Sequence, residues 1–263
     1  MKIFSIFGSP VSHSRSPLMH NSVFKALDIK ACYSRTHLDD GERLRDVFIA
    51  KKLHGANVTV PHKEAAFRAC DEIRGVAQNI GAVNTIVLED KKLIGYNTDG
   101  DGFLRAISRW SDIKSVLILG AGGTAKALAT ILSSAGYGIT ILNRSSGNLE
   151  HFTSRGFSTF THSDFAPAKY DLLINTTSAG LADDNLPMPI RLLEKQLELC
   201  SYGVDVIYGK ETPFLKLLKE RNIPHLDGSD MLLEQGVLAS YLFLEQKYPL
   251  QDIDRTMRES FKL

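Results

Sequence analysis

Cysteine is scarce in this chain. Only Cys32, Cys70 and Cys200 occur, far apart and in no C-x-x-C pair. That argues against a disulfide framework or a structural zinc site, and for idle thiols in a reducing cytosol. Excess charge of one sign is also missing. Lys and Arg number 31 against 30 Asp and Glu, a formal net charge of +1, so the field of a dedicated nucleic-acid binder is absent. Long hydrophobic runs are lacking too. The first apolar stretch, Ile3 to Phe7, breaks into Gly, Ser and Pro too early for a signal-peptide core. Nothing approaches the roughly 20 apolar residues of a membrane span. The expectation is a cytoplasmic protein that engages neither nucleic acid nor membrane, so the Asn-x-Thr patterns at Asn57 and Asn175 carry no glycosylation reading. H-E-x-x-H, the P-loop and G-x-S-x-G are absent. The eight histidines form no ligand-spaced cluster, and His13, His20 and His62 read as local structure; no metal is expected.

What is present is alternation of short apolar runs with amphipathic stretches over 263 residues, an α/β pattern. Ile3–Phe7 reads as a first strand. Ser16-Pro17 opens a helix, with Ser16 as N-cap, and Met19, Val23, Phe24 and Leu27 share its buried face. Ala56 to Val60 reads as a strand stopped by Pro61, followed by a helix through Cys70 and Asp71. Ala82 to Leu88 and Leu93 to Tyr96 read as strands joined by the charged turn at Glu89 to Lys92. A helix follows Asp99. From about residue 110 to 230 the strands Val116–Leu119, Ile139–Leu142, Tyr170–Ile174 and Tyr202–Ile207 set the rhythm of a doubly wound parallel sheet. Met231 to Tyr248 is again helical, with Gln235 on the opening turn of the last helix. Domain junctions are expected near residues 100 and 230.

The strongest local motif is Gly120-Ala121-Gly122-Gly123-Thr124-Ala125. It fits G-x-G-x-x-A between a strand and a helix. Gly120 permits the tight turn, Gly122 lets backbone approach a pyrophosphate, and Ala125 lets helix and strand pack closely. The helix N-terminus offers free N–H groups to the phosphates. The next strand ends in Asn143-Arg144 rather than the Asp or Glu that holds a ribose 2′-hydroxyl, which favours NADP over NAD. In the first hundred residues, alternation puts Asn57 and Thr59 on one strand face, and Lys63 follows in the first turn after Pro61. These are donors and acceptors suited to a hydroxylated ring, and Asn57 and Thr59 also serve turn and strand-end hydrogen bonding. Local sequence favours Asp99 as a helix N-cap, Ser14 and Ser16 also suit the start of the first helix, and Asn84 interrupts an apolar strand and needs partners if buried.

Together these segments resemble the shikimate dehydrogenase family. The matching pieces are Ser14-Arg15-Ser16-Pro17, Asn57 to Lys63, Gly81 to Thr85, Asn97 to Gly100, Gly120 to Gly123, Asn143-Arg144, Asn175 to Ser178, Thr212 to Phe214, and Asp227-Gly228 followed by Met231 and Gln235. They span nearly the whole chain in family order. The resemblance implies a two-domain enzyme: a substrate domain, residues 1–100 completed by C-terminal helices 232–263, and a Rossmann-like NADP-binding domain, residues 101–231. It implies reversible reduction of 3-dehydroshikimate to shikimate with NADPH, in aromatic amino acid biosynthesis, by a monomer or homodimer.

By the same resemblance, Lys63 and Asp99 are the catalytic pair. Ser14, Ser16, Thr59, Asn84, Gln235 and Tyr208 join them around shikimate. Gly120 to Thr124 (Gly120, Ala121, Gly122, Gly123, Thr124), Asn143 and Arg144 hold NADP, and Val206, Gly228 and Met231 line the nicotinamide side. One departure stands out. Many members carry a second arginine shortly after Asn-Arg-Thr, and here Asn148 falls in its place, which predicts a weaker phosphate grip. The rival readings are a quinate/shikimate dehydrogenase using NAD and a non-catalytic dinucleotide sensor on the same fold.

Overall fold

The computed structural model describes residues 1–261, so Lys262 and Leu263, the end of the expected C-terminal helices, lie outside the described residues. The chain forms two compact units, Met1–Gly102 with Leu233–Leu263, and Phe103–Leu232.

The first unit runs β1 (Lys2–Gly8), α1 (Ser16–Ala26), β2 (Ala31–His37), α2 (Leu44–Ala50), β3 (Gly55–Val58), α3 (Lys63–Ala69), β4 (Glu72–Ile73), α4 (Ala77–Ile80), β5 (Thr85–Glu89) and β6 (Lys92–Tyr96), then enters α5 (Thr98–Ile107). Its sheet has the order β2-β1-β3-β5-β6-β4. The strand β1 is parallel to β2 and β3, whereas β5 is antiparallel to β3 and β6. Glu89 pairs with Lys92, so the hairpin turn is two residues long, and Asp90 and Lys91 take the left-handed backbone (φ 48° and 67°) that such a turn requires. Phe7, Phe48, Val58, Val83, Ile86 and Leu93 fill one core on this sheet.

The second unit continues β7 (Ser115–Leu119), α6 (Gly123–Ser134), β8 (Gly138–Asn143), α7 (Glu150–Thr153), β9 (Ser158–Thr161), β10 (Tyr170–Asn175), α8 (Ile190–Leu197), β11 (Cys200–Asp205), α9 (Pro213–Glu220) and β12 (His225–Leu226). Helix α10 (Gly228–Phe243) leads back to the first unit, where α11 (Leu250–Phe261) follows. All strand pairs of the second sheet are parallel, in the order β12-β11-β10-β7-β8-β9. The winding reverses between β7 and β10, which is where such sheets bind ligands. Alternation along β7 feeds both faces. Val116 and Ile118 pack with Ala125, Leu128 and Leu132 of α6. Leu117 and Leu119 pack with Leu193, Phe214 and Leu218 on the other side. Each such fully buried leucine contributes about 2 kcal/mol.

Several expected boundaries move. Helix α1 starts at Ser16 itself, with Arg15 at the cap position and no side-chain cap; Ser16 is not the N-cap, because Arg15 already has helical backbone. The third strand ends at Val58 because a turn closes from Thr59 O to His62 N. The strand expected from Ala82 begins only at Thr85, since Val83 N–H turns to the Lys63 carbonyl. Helix α10 stops at Phe243 rather than Tyr248, where Glu245 and Gln246 turn left-handed (φ 56° and 59°). Gln235 therefore sits mid-helix, and α10 is the penultimate helix, not the last. The three cysteines are free, and burial pushes Cys70 up to about 12 and Cys200 up to about 11, so neither is a thiolate at neutral pH.

Candidate active site

In the first unit, turn geometry brings two distant residues into contact. Pro61 and His62 swing the chain out of β3, so Lys63 opens α3. Asp99 is the second residue of α5. Its own backbone N–H is capped by Asn97 Oδ1 at 3.1 Å. Asp99 is therefore not the N-cap that local sequence favoured, and its carboxylate is left for another partner. Lys63 Nζ donates to Asp99 Oδ2 at 2.6 Å, and the side chains are 32% and 14% exposed. The pair is thus half-shielded yet reachable. The first turn of α5 also favours the anion.

A buried polar network supports this pair. Asn84 Oδ1 accepts from Thr98 N–H at 2.8 Å and from Thr85 Oγ1 at 3.0 Å. The backbone N–H is a donor only, so the Asn84 amide must present its oxygen there and its NH2 elsewhere. One of those hydrogens goes to Thr98 Oγ1 at 3.1 Å; the other meets no partner among the described residues. Asn57 sits one step behind. Its Oδ1 accepts the Tyr33 hydroxyl at 2.7 Å, and its NH2 donates to Asn84 O at 3.2 Å and Thr85 Oγ1 at 3.0 Å. Both Asn57 hydrogens are used, so Asn57 supports the site instead of lining it with Thr59, as alternation suggested. Tyr33 stacks on His20 at 4.3 Å, and His20 Nδ1 meets Ser240 Oγ at 2.7 Å. Burial, only partly offset by Asn57, lowers His20 to about 3, and burial also raises Tyr33 well above its usual range. His20 Nε2 is buried and has no hydrogen bond among the described residues.

Ser14 and Ser16 are buried together, 3.2 Å apart through their hydroxyls, and Arg35 anchors their loop by two bonds to the Ser14 carbonyl at 3.0 and 2.5 Å. Thr59 is half-buried. A Cβ on Gly8 would collide with its methyl, so glycine there makes room for it. Gln235 is buried where α10 crosses α5. A Cβ on Gly102 would lie 2.6 Å from its backbone nitrogen, so glycine permits that close crossing. Tyr33 and Gly102 were not singled out by the sequence, while His20, read as local structure, and Thr85 and Thr98, within the matching motifs, join the supporting network. The alternation Cys32, Tyr33, Ser34, Arg35 was the available signal for β2 and for Tyr33.

The second unit places its glycine turn at the carboxyl end of β7. Gly120 has φ +105°, and a Cβ there would strike Thr176 Oγ1 at 2.8 Å. Gly122 and Gly123 face open space within 4 Å of where a Cβ would stand, the opening a phosphate needs at the start of α6. Ala121 is buried, Thr124 is exposed, and Ala125 is fully buried against the sheet. Asn143 ends β8 and ties its amide to Ser145 O at 2.8 Å, while Arg144 is exposed.

The loop after β11 is organised by Asp205. Its carboxylate accepts from Thr212 Oγ1 (2.6 Å), Asn175 Nδ2 (3.1 Å) and Ile207 N–H (3.1 Å), and burial raises its pKa. Val206 and Met231 pack on the core beneath. A Cβ on Gly228 would collide with Val206 O, so backbone proximity alone demands that glycine. Tyr208 stands 37% exposed on the same loop.

A family model, the shikimate dehydrogenase substrate binding domain, matches residues 6–86. Shikimate dehydrogenase (NADP(+)) of Helicobacter hepaticus is 51% identical over 251 residues, 93% of this chain and 92% of the relative. The chain belongs to the shikimate dehydrogenase family. A second member, shikimate dehydrogenase (NADP(+)) of Helicobacter pylori strain G27, is 42% identical over 265 residues, 99% of each chain. Among solved members of the family, Thermus thermophilus shikimate 5-dehydrogenase in complex with NADP(H) and shikimate superposes with a TM-score of 0.85 at 31% identity, covering 99% of this chain and 100% of that one.

Proposed function

We propose that this chain is an NADP-dependent shikimate dehydrogenase, reversibly reducing 3-dehydroshikimate to shikimate in aromatic amino acid biosynthesis. Family membership supports this reading, and the observation that carries it is the Lys63–Asp99 contact at 2.6 Å. The first unit is the substrate domain. The second is the nucleotide domain, and the open backbone at Gly122 and Gly123 suits a pyrophosphate. When bound, the reduced nicotinamide supplies the hydride that makes the ketone carbon tetrahedral.

This chain's residues manage the charge and the proton. As the ketone oxygen gains negative charge, the Lys63 ammonium stabilises it and then protonates it. Asp99 holds Lys63 Nζ in place and offers its other oxygen to a ring hydroxyl. The spare Asn84 amide hydrogen, Ser14, Ser16, Thr59 and Gln235 bind the carboxylate and remaining hydroxyls. In the oxidative direction the same steps run in reverse, and the hydroxyl proton passes to Lys63 Nζ.

Purified protein mixed with 3-dehydroshikimate and NADPH should consume NADPH, and NADH should serve poorly. Protein that binds NADPH tightly but leaves its absorbance unchanged in the presence of 3-dehydroshikimate would replace this reading with that of a dinucleotide sensor.

A further inference from the structure

Two cations near the end of β8 form no ion pair with a carboxylate among the described residues. Lys126, the fourth residue of α6, and Arg144 form no side-chain ion pair or hydrogen bond among the described residues. Beside Lys126 lies a depression of about 400 Å3 lined by Lys126, Gly147, Asn148, Glu150, His151 and Ser154. No ion pair joins Lys126 to Glu150 among the described residues. His151 is held below its usual range first by burial and then by the positive charges of Arg155 and Lys126. His162 is lowered by burial and by Arg144. The positive charge of Lys126 thus reaches His151, and that of Arg144 reaches His162. A Cβ on Gly147 would meet nothing within 4 Å, so space is open beside that lining residue.

The second strand of a doubly wound nucleotide domain ends where the adenosine ribose lies. Here that strand is β8, and the depression begins only a few residues after it. Asn148, which lines it, is neutral. The unpaired positive charge that lines it comes from Lys126 on α6.

We propose that Lys126 is a phosphate-recognising residue of the nucleotide site, supplying with Arg144 the charge that selects the 2′-phosphate of NADP. This rests on the NADP reading above. Glu150 lines the same depression and opposes an anion there, so the balance between Lys126 and Glu150 sets the strength of discrimination.

Calorimetric titration of the full chain with NADP+ and with NAD+ tests this without relying on turnover. Lys126→Met should weaken NADP+ binding about fivefold to tenfold, the scale of one partly exposed charge-assisted contact, and leave NAD+ within about twofold. Lys126→Arg should retain the preference, and Glu150→Gln should tighten NADP+ alone. Wild-type protein that prefers NADP+ together with a Lys126→Met protein that prefers it equally would overturn the Lys126 assignment and leave the NADP reading standing. Equal weakening of both nucleotides would overturn it as well. Wild-type protein without any preference would overturn both.

Discussion

Replacing Tyr33 by Phe isolates one hydroxyl in the support beneath the site. Tyr33 is 4% exposed and Asn57 5% exposed, and the bond between them is 2.7 Å. The ring would keep its stack on His20 at 4.3 Å, so packing is preserved. Asn57 Oδ1 would lose its donor. Flipping the amide does not help, because the oxygen would then face the Asn84 carbonyl and Thr85 Oγ1, giving up two bonds to restore one. The acceptor therefore stays unsatisfied, at a cost of about 1–3 kcal/mol. Urea unfolding of wild type and Tyr33→Phe at neutral pH reads this directly. Because Asn57 orients Thr85 and Thr85 orients Asn84, KM for shikimate should also rise, about threefold or more, with kcat within about twofold. A stability loss under about 0.5 kcal/mol, a typical neutral surface effect, with unchanged KM would refute the reasoning.

His20 should make the protein acid-sensitive. Its folded pKa is lowered from 6.5 to about 3, so below the unfolded value the unfolded chain takes the proton first, and stability falls with pH through the interval from 6.5 towards 3. Between pH 7 and pH 5 the loss from this group is about 2 kcal/mol, and a His20→Gln protein should lack that increment in urea titrations at the two pH values. Equal losses in both proteins would count against it. Gly228→Ala forces a methyl against Val206 O, and should cost about 1–3 kcal/mol or more through backbone displacement. Its Tm should fall and its NADP+ affinity with it; an unchanged Tm would contradict the close approach.

The doubly wound sheet was legible because its central strands are continuous apolar runs. Val116–Leu119 is buried on both faces, so composition alone marks it. The edge strand β9, with four residues of which none is fully buried, and the two-residue β12 gave no such signal. In the site, Lys63 and Asp99 were named from motif resemblance, but their contact depends on Asn97 taking the cap role, and a lone Asp before a helix reads locally as the cap itself. For Asn57 the choice between substrate and strand hydrogen bonding was not legible for a related reason. Alternation gives the face a side chain points to, whereas its hydrogen-bond partners, Tyr33 from β2 and Thr85 from β5, come from strands far off in sequence.

The central claim is that the Lys63 ammonium, held by Asp99, handles the proton of the ketone-to-alcohol step. Steady-state reduction of 3-dehydroshikimate by Lys63→Ala, alongside calorimetric affinities for shikimate and NADP+, tests it most directly. The account predicts a kcat lowered about 100-fold to 10,000-fold, with NADP+ affinity unchanged. A Lys63→Ala enzyme whose kcat stays near that of wild type would contradict it.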